Sequence, residues 1–222
     1  RTLALQTGGH YMDQFTYAER ATDWRGNNNI AQSIFEQLAQ EPHPVPDWIV
    51  CGAGTGGTSA TIGRYLRYRR LGTRLCVAEP TGSGYAQGWR TRDRGATAQR
   101  PTLIEGIGRP RVEPGFLFEV VDSVVEVGDA ASIAAAWLLE ELLGRRYGGS
   151  SGTNLVACLQ LAAGMRERGE RGSIVSLLCD PGERYAETLF DSAWLAACGI
   201  DIVPVRESLK ECLTGGRADA WR

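Results

Sequence analysis

The stretch Trp48-Ile49-Val50-Cys51-Gly52-Ala53-Gly54-Thr55-Gly56-Gly57-Thr58-Ser59-Ala60-Thr61 constrains this chain more than any other. A short apolar run enters a turn that holds four glycines, and the turn opens into a segment with helical patterning. Strand, glycine turn, helix is the order it dictates. Glycines permit positive φ and let the backbone come close to an anion, while the first free N–H groups of the helix and the positive end of its dipole supply donors. The stretch reads as a phosphate cradle. It also satisfies G-x-G-x-x-G through Gly52, Gly54 and Gly57, and Glu79 ends the next strand, where a dinucleotide-binding domain places its ribose acid. Two kinds of phosphate ligand therefore compete for one loop.

Length and charge narrow the setting. At 222 residues the chain can form one large α/β domain or two small ones with an ample core. Its net charge is −2, from 24 basic and 26 acidic residues, with no long single-sign run. Nucleic acid and anionic membrane surfaces are excluded as expected partners, and a small-molecule site is favoured. The longest apolar run, Ile133 to Leu143, contains Glu140 and Glu141 and is too short for a membrane span. Cysteines at 51, 76, 158, 179, 198 and 212 form no C-x-x-C pair, and most fall in apolar strands or helices. Buried free thiols in a reducing, cytoplasmic compartment are expected. His10 and His43 belong to no ligand motif, so no metal is expected. The start, Arg1 to Gln6, has neither an initiator Met nor a basic-then-apolar leader, and reads as an internal cut with a piece missing upstream.

Taken in order, residues 8–16 read as a short strand or strand end leading into a loop. Turn chemistry from Asp23 to Asn29 then starts a helix near Asn29, and the three prolines of residues 41–46 stop it. A strand over 47–51, the glycine loop, a helix over about 57–70 and a strand over 73–78 make a βαβ unit with parallel strands. Residues 81–116 read as a long loop forming a site wall. A strand follows over 118–127, then a helix over 130–143 with Asp129 as its N-cap. A second glycine turn, Gly148-Gly149-Ser150-Ser151-Gly152, opens a helix running through Met165. Residues 173–179 read as a strand buried on both faces, residues 190–198 as a helix and 200–205 as a short strand. The alternation predicts an α/β fold, a twisted, mostly parallel sheet with helices on both faces, and gathers Gly52 to Thr58, Glu79 and Asp180 at the carboxyl ends of the strands.

Gly54-Thr55-Gly56-Gly57-Thr58 resembles the phosphate-binding loop of the pyridoxal-phosphate (PLP) enzymes of the cysteine synthase and cystathionine β-synthase family, fold type II. Three more segments agree in the same order: Asp13-Gln14-Phe15, Glu105-Gly106-Ile107-Gly108 and Gly148-Gly149-Ser150-Ser151-Gly152. The resemblance covers most of the chain. It implies that Gly54, Thr55, Gly56, Gly57 and Thr58 hold the PLP phosphate and that Ser150 faces the pyridine nitrogen. Gln14 would help hold the substrate carboxylate, and Gly106 to Gly108 would line the substrate pocket. A neutral hydroxyl at the ring nitrogen suits α,β-elimination and β-replacement, which need less carbanion stabilisation. The bland readings are that Ser150 is a helix N-cap, Gln14 a surface residue and Glu79 a strand end. Arg109-Pro110-Arg111 departs from the small, apolar continuation common in cysteine synthases. One of these arginines would bind a substrate carboxylate or sulfonate, or else be a salt-bridged loop residue.

The same resemblance requires a catalytic lysine, which in the family lies in an upstream segment. Lys210 is the only lysine of this chain and matches no family motif, so it is given no such role. The 222 residues are expected to be the cofactor-binding, C-terminal part of a longer protein, with the small domain and the lysine-bearing segment upstream. The reading that follows is cysteine desulfhydration to sulfide, pyruvate and ammonia by a cytoplasmic homodimer. Cysteine synthase-type β-replacement and threonine dehydratase-like deamination are the alternatives within the family. Outside it stand an NAD-dependent oxidoreductase built on Gly52, Gly54, Gly57 and Glu79, and a non-catalytic interaction fragment.

Overall fold

The structure is a computed structural model that describes residues 1–26 and 28–215; Asn27, in the turn expected before the third helix, lies outside them. The described helices and strands run α1 (Thr2–Thr7), α2 (Gln14–Tyr17), α3 (Ile30–Gln37), β1 (Trp48–Gly52), α4 (Gly57–Tyr68), β2 (Arg74–Pro80), α5 (Gly84–Thr91), β3 (Ser123–Val127), α6 (Asp129–Leu143), α7 (Gly149–Glu167), β4 (Ile174–Ser176), α8 (Ser192–Ala197) and α9 (Val203–Leu213). The strands pair in parallel in the order β3-β2-β1-β4, with Trp48 beside Arg74 and Ile174, and Cys76 beside Ser123.

Side-chain alternation along β1 and β2 divides the core between the two faces of this sheet. Ile49, Cys51, Leu75 and Val77 pack with Ile34 of α3 and with Ile62, Tyr65 and Leu66 of α4. Trp48, Val50, Cys76 and Ala78 point the other way, onto Ala157 and Met165 of α7. Helices thus cover both faces, as the alternation of elements requires. Behind α7, the alanine-rich α6 brings Ala134, Ala135 and Leu138 against Val156 and Leu159, with Leu209 and Cys212 of α9 closing the cluster.

Six sequence expectations are corrected. Residues 8–16 form no strand, because the chain turns at Asp13 into α2. The 81–116 loop contains α5, which Ser83 caps by accepting from Ala86 N. The third strand starts only at Ser123, after a 3-10 turn over Phe118–Val120. The fourth is three residues long and half-buried, because it is a sheet edge and not a central strand. The expected strand at 200–205 is the start of α9, since a proline fits the first helical turn and Leu209 and Cys212 have a core to enter. Asp129 is the first residue of α6 and not its cap; its carboxylate accepts from Thr102 Oγ1 at 2.7 Å and from Leu103 N at 2.9 Å.

Cys51, Cys76 and Cys212 are buried and Cys158 is half-buried, whereas Cys179 and Cys198 are exposed. Among the described residues no helix is long and apolar enough to cross a membrane.

Candidate functional site

Helix α4 begins without a side-chain cap. Its N-cap is Gly56, at φ 87°, whereas Asn29, Ser83 and Asp191 all cap their helices through side-chain oxygens. A glycine in that position leaves the first-turn N–H groups to an external acceptor. Gly57 and Thr58 of that turn line a cavity of about 350 Å³, together with Gln14, Ala18, Thr55 and Thr61. Gln14 therefore meets the glycine loop, although forty residues of sequence stand between them.

The loop is held by what its glycines admit. A Cβ on Gly54 would stand 2.5 Å from the carbonyl oxygen of Gly106, one on Gly52 2.6 Å from Ile107 Cγ2, and one on Gly56 2.6 Å from the backbone of Gly115 and Phe116. Tyr85 fixes the loop from below: its hydroxyl donates to Gly54 O at 2.7 Å, and its ring stacks on Phe116 at 4.2 Å between centroids. Burial pushes the Tyr85 phenol well above its ordinary range, so it stays a donor.

Residues 104–108 bridge the two glycine turns. Gly106 and Ile107 press on the first, and Ile104 on the second, where a Cβ on Gly149 would be 3.0 Å from Ile104 Cδ1. At the second turn Ser150 and Ser151 are both buried. The N-cap of α7 is Gly148, so Ser150 is not the capping residue that its bland reading made it. Ser151 Oγ accepts from Cys179 N at 2.8 Å, and Gly148 N donates to Asp180 O at 2.9 Å, which ties the turn to the end of β4. Asp180 also accepts a hydrogen bond from the Tyr185 hydroxyl at 2.7 Å. The structure thus joins Gln14, Thr55, Gly57 and Thr58 around one cavity and sets Gly106 and Ile107 against the loop. Ser150 is linked to them only through the packing of Ile104 on Gly149.

Glu79 settles the competition between phosphate ligands. It is wholly buried behind the loop, accepting from Ala53 N at 3.0 Å and from Ser83 Oγ at 2.9 Å, and it cannot reach a ribose. Its role is structural: one carboxyl group ties β1, β2 and the start of α5. Burial drives its pKa up to about 8, against the pull of its hydrogen bonds with Ser83, Ala53 and Gly108. The folded state then keeps a proton that the unfolded chain loses from about 4.5 upward, so this group's contribution to stability falls as pH rises from about 4.5 to about 8. Glu79→Gln is expected to flatten that limb of a Tm against pH curve; a slope unchanged by the substitution would remove Glu79 as its cause.

The arginines after the Gly-Ile-Gly loop are engaged. Arg109 Nη2 stands 3.4 Å and Arg111 Nε 3.3 Å from Oε1 of the buried Glu113, and the Arg109 guanidinium lies 4.7 Å from the centroid of Phe15. Lys210 sits on α9, paired with Glu141 at 2.8 Å and Glu207 at 3.4 Å. Tyr85 and Glu113 escaped the sequence reading because both lie in the stretch taken as loop. The one signal available was Ser83 as an N-cap ahead of Tyr85 and Ala86.

A parallel sheet with helices on both faces, carrying an uncapped glycine-opened helix beside a polar cavity, defines a phosphate-binding α/β protein. The chain belongs to the pyridoxal-phosphate dependent enzyme family, whose sequence profile matches residues 1–180. It is 58% identical over 199 residues to L-cysteine desulfhydrase Cds1 of Mycobacterium tuberculosis, covering 90% of this chain and 54% of that protein. It is 31% identical to cysteine synthase 2 of Schizosaccharomyces pombe, covering 84% of this chain and 48% of that one. The solved structure of a hydrogen sulfide-producing enzyme from Fusobacterium nucleatum superposes with a TM-score of 0.69 at 25% identity, over 86% of this chain and 54% of the other. The chain spans about half the length of the curated relatives it matches.

The residues present fit the phosphate end of PLP. The uncapped start of α4 supplies N–H donors, the Thr55 and Thr58 side chains line the cavity beside it, and the backbone approach is one that Cβ atoms at 54 and 56 would block.

Proposed function

We propose that the protein carrying this chain is a PLP-dependent L-cysteine desulfhydrase, converting L-cysteine and water to sulfide, pyruvate and ammonia. The observation that carries this reading is the 58% identity to an L-cysteine desulfhydrase across 90% of the chain. In it, the first-turn N–H groups of α4 and the Thr55 and Thr58 hydroxyls hold the cofactor phosphate as donors of charge-assisted hydrogen bonds. When bound, PLP supplies the electron sink that weakens bonds at the substrate α-carbon. Gln14, across the same cavity, donates its amide N–H to the substrate carboxylate, and residues 106–108 exclude water from the reacting end. Ser150, at the buried second turn, offers a neutral hydroxyl to the ring. The whole protein is proposed to act as a cytoplasmic homodimer, with the catalytic lysine supplied outside the motifs matched here.

Incubating the whole PLP-loaded protein with L-cysteine alone is expected to release sulfide and pyruvate in equal amounts. Sulfide formed without pyruvate, and only when a second thiol is added, would replace this reading by β-replacement, for which the cysteine synthase relative is the support. Gln14→Ala is expected to raise KM for L-cysteine about tenfold, from one lost hydrogen bond to a charged group, with PLP affinity unchanged. An unaltered KM would remove Gln14 from the substrate site.

A further inference from the structure

We propose that Arg109, anchored by the buried carboxylate of Glu113, is a positioning residue that holds the Gln14 segment at the cavity by gripping the face of Phe15. The inference rests on the reading of Gln14 as a substrate-carboxylate donor. It assigns roles to Phe15 and Glu113, and it makes Arg109 a clamp and not a ligand of the substrate.

The segment needs such a clamp. Helix α2 is four residues long with no buried residue, far below the length at which a helix sustains itself. It starts at Asp13, a non-glycine residue at φ 41°, a backbone conformation that persists only where its surroundings impose it. Its N-cap makes no side-chain hydrogen bond to the helix, and the Asp13 carboxylate pairs with Arg1 instead. Downstream, Arg64 Nη1 donates to Glu19 O at 2.8 Å and fixes the turn after α2. Between these two ties Gln14 lines the cavity, while its neighbour Phe15, 42% exposed, lies under the Arg109 guanidinium.

Arg109 is suited to that grip. A planar guanidinium can lie on an aromatic ring and still reach a carboxylate, which the compact ammonium of a lysine does less well. Its anchor is buried: the Glu113 side chain is 1% exposed and takes both Arg109 and Arg111 on Oε1. The Arg111 side chain is 69% exposed and pairs with Glu113, so it balances that charge from the solvent side. Arg109 Nε and Glu113 Oε2 are buried without hydrogen-bond partners, so the pair has not closed into a two-point fork. Arg109 Cζ lies over the Phe15 ring, 4.7 Å from its centroid.

The test uses the whole PLP-loaded enzyme with Arg109→Ala, Phe15→Leu and Phe15→Trp variants. Phe15 is exposed enough that its replacement leaves folding intact. Arg109→Ala and Phe15→Leu are each expected to raise KM for L-cysteine about fivefold, with kcat and PLP affinity changed less than about twofold, and the double variant to be no worse than either. Phe15→Trp, which keeps the aromatic face, is expected to retain the wild-type KM. Hydrogen exchange at Thr16 N and Tyr17 N, both bonded to Asp13 O, is expected to quicken in the first two variants and not in the third. A raised KM in Arg109→Ala with a wild-type KM in Phe15→Leu would overturn the proposal in favour of direct substrate contact. Unchanged KM and unchanged exchange in both would overturn it outright. Failure of the wild-type enzyme to release sulfide would overturn the proposed function instead, and the exchange measurement would still decide the clamp.

Discussion

Gly56→Ala in the whole enzyme is expected to lower PLP affinity by about a hundredfold or more, because it combines backbone strain with loss of the donors the phosphate needs. Gly56 sits at φ 87°, where an L side chain is disfavoured by about 1–2 kcal/mol. Its Cβ would also stand 2.6 Å from Gly115 C and O and from Phe116 Cα, which are backbone atoms and cannot swing aside. Relief requires the loop to move off residues 115–116, and that displacement turns the first N–H groups of α4 away from the cavity. Losing one charge-assisted hydrogen bond, at about 1.5–3 kcal/mol, together with the strain comes to about 2.5–5 kcal/mol, a range that starts near the roughly 2.8 kcal/mol of a hundredfold change and extends above it. Gly144→Ala separates the two contributions: Gly144 shares the positive φ, at 66°, but a Cβ there meets nothing within 4 Å. It is expected to destabilise the fold by about 1 kcal/mol and to leave PLP binding unchanged. Titration of the apoenzyme with PLP, followed by absorbance, measures both. An affinity for Gly56→Ala within about fivefold of wild type would remove the start of α4 as the phosphate site.

The second large effect is expected on folding. Gly152 belongs to the second glycine turn, and its sequence context suggests a cofactor role, but the structure places it at the crossing of α6 and α7. A Cβ there would fall 1.9 Å from Ser132 O and 2.8 Å from Ala136 N, both in the backbone of α6. The alanine gains about 1 kcal/mol of helix propensity, and against it stands the overpacking of two helices that must separate, about 3 kcal/mol or more. The clash wins. Out of a total stability of about 5–15 kcal/mol, that net loss is expected to lower Tm by roughly 5 °C or more and to reduce soluble yield. Gly164, in the same helix, meets only the far end of the Arg168 side chain at 3.2 Å, so Gly164→Ala is expected to stabilise by about 0.5–1 kcal/mol. Thermal unfolding of the two variants beside wild type checks the pair. A Gly152→Ala protein as stable as wild type would mean that the close approach of α6 and α7 is not required.

Local elements with strong patterning were legible in the chain itself. The apolar run before the glycines became β1, the turn opened α4, and the stretches before Glu79 and after the second glycine turn became β2 and α7. Each carries its own instruction, through β-branched residues, glycines or helical spacing. Elements set by distant partners were not legible. Helix α5 hides in a run with three glycines and two arginines, because it is held by the burial of Tyr85 between Gly54 and Phe116. Residues 200–205 look like a strand until Leu209 and Cys212 find α6. Residues 173–179 look central because nothing in their composition says that β4 ends the sheet.

The sequence by itself determined that a strand, a glycine turn and a helix would offer an anion site, and its four ordered motifs pointed to PLP. Only the tertiary structure decided which backbone each glycine packs against, Gly106 for Gly54, Gly115 for Gly56 and Ser132 for Gly152, and that Glu79 lies behind the loop as a buried tie. It alone brought Gln14 to the cavity and set Arg109 on Phe15. The physical reason is that positive φ and helix patterning are local properties of the chain, whereas close approach, burial and the pairing of a carboxylate depend on which distant residue arrives beside it.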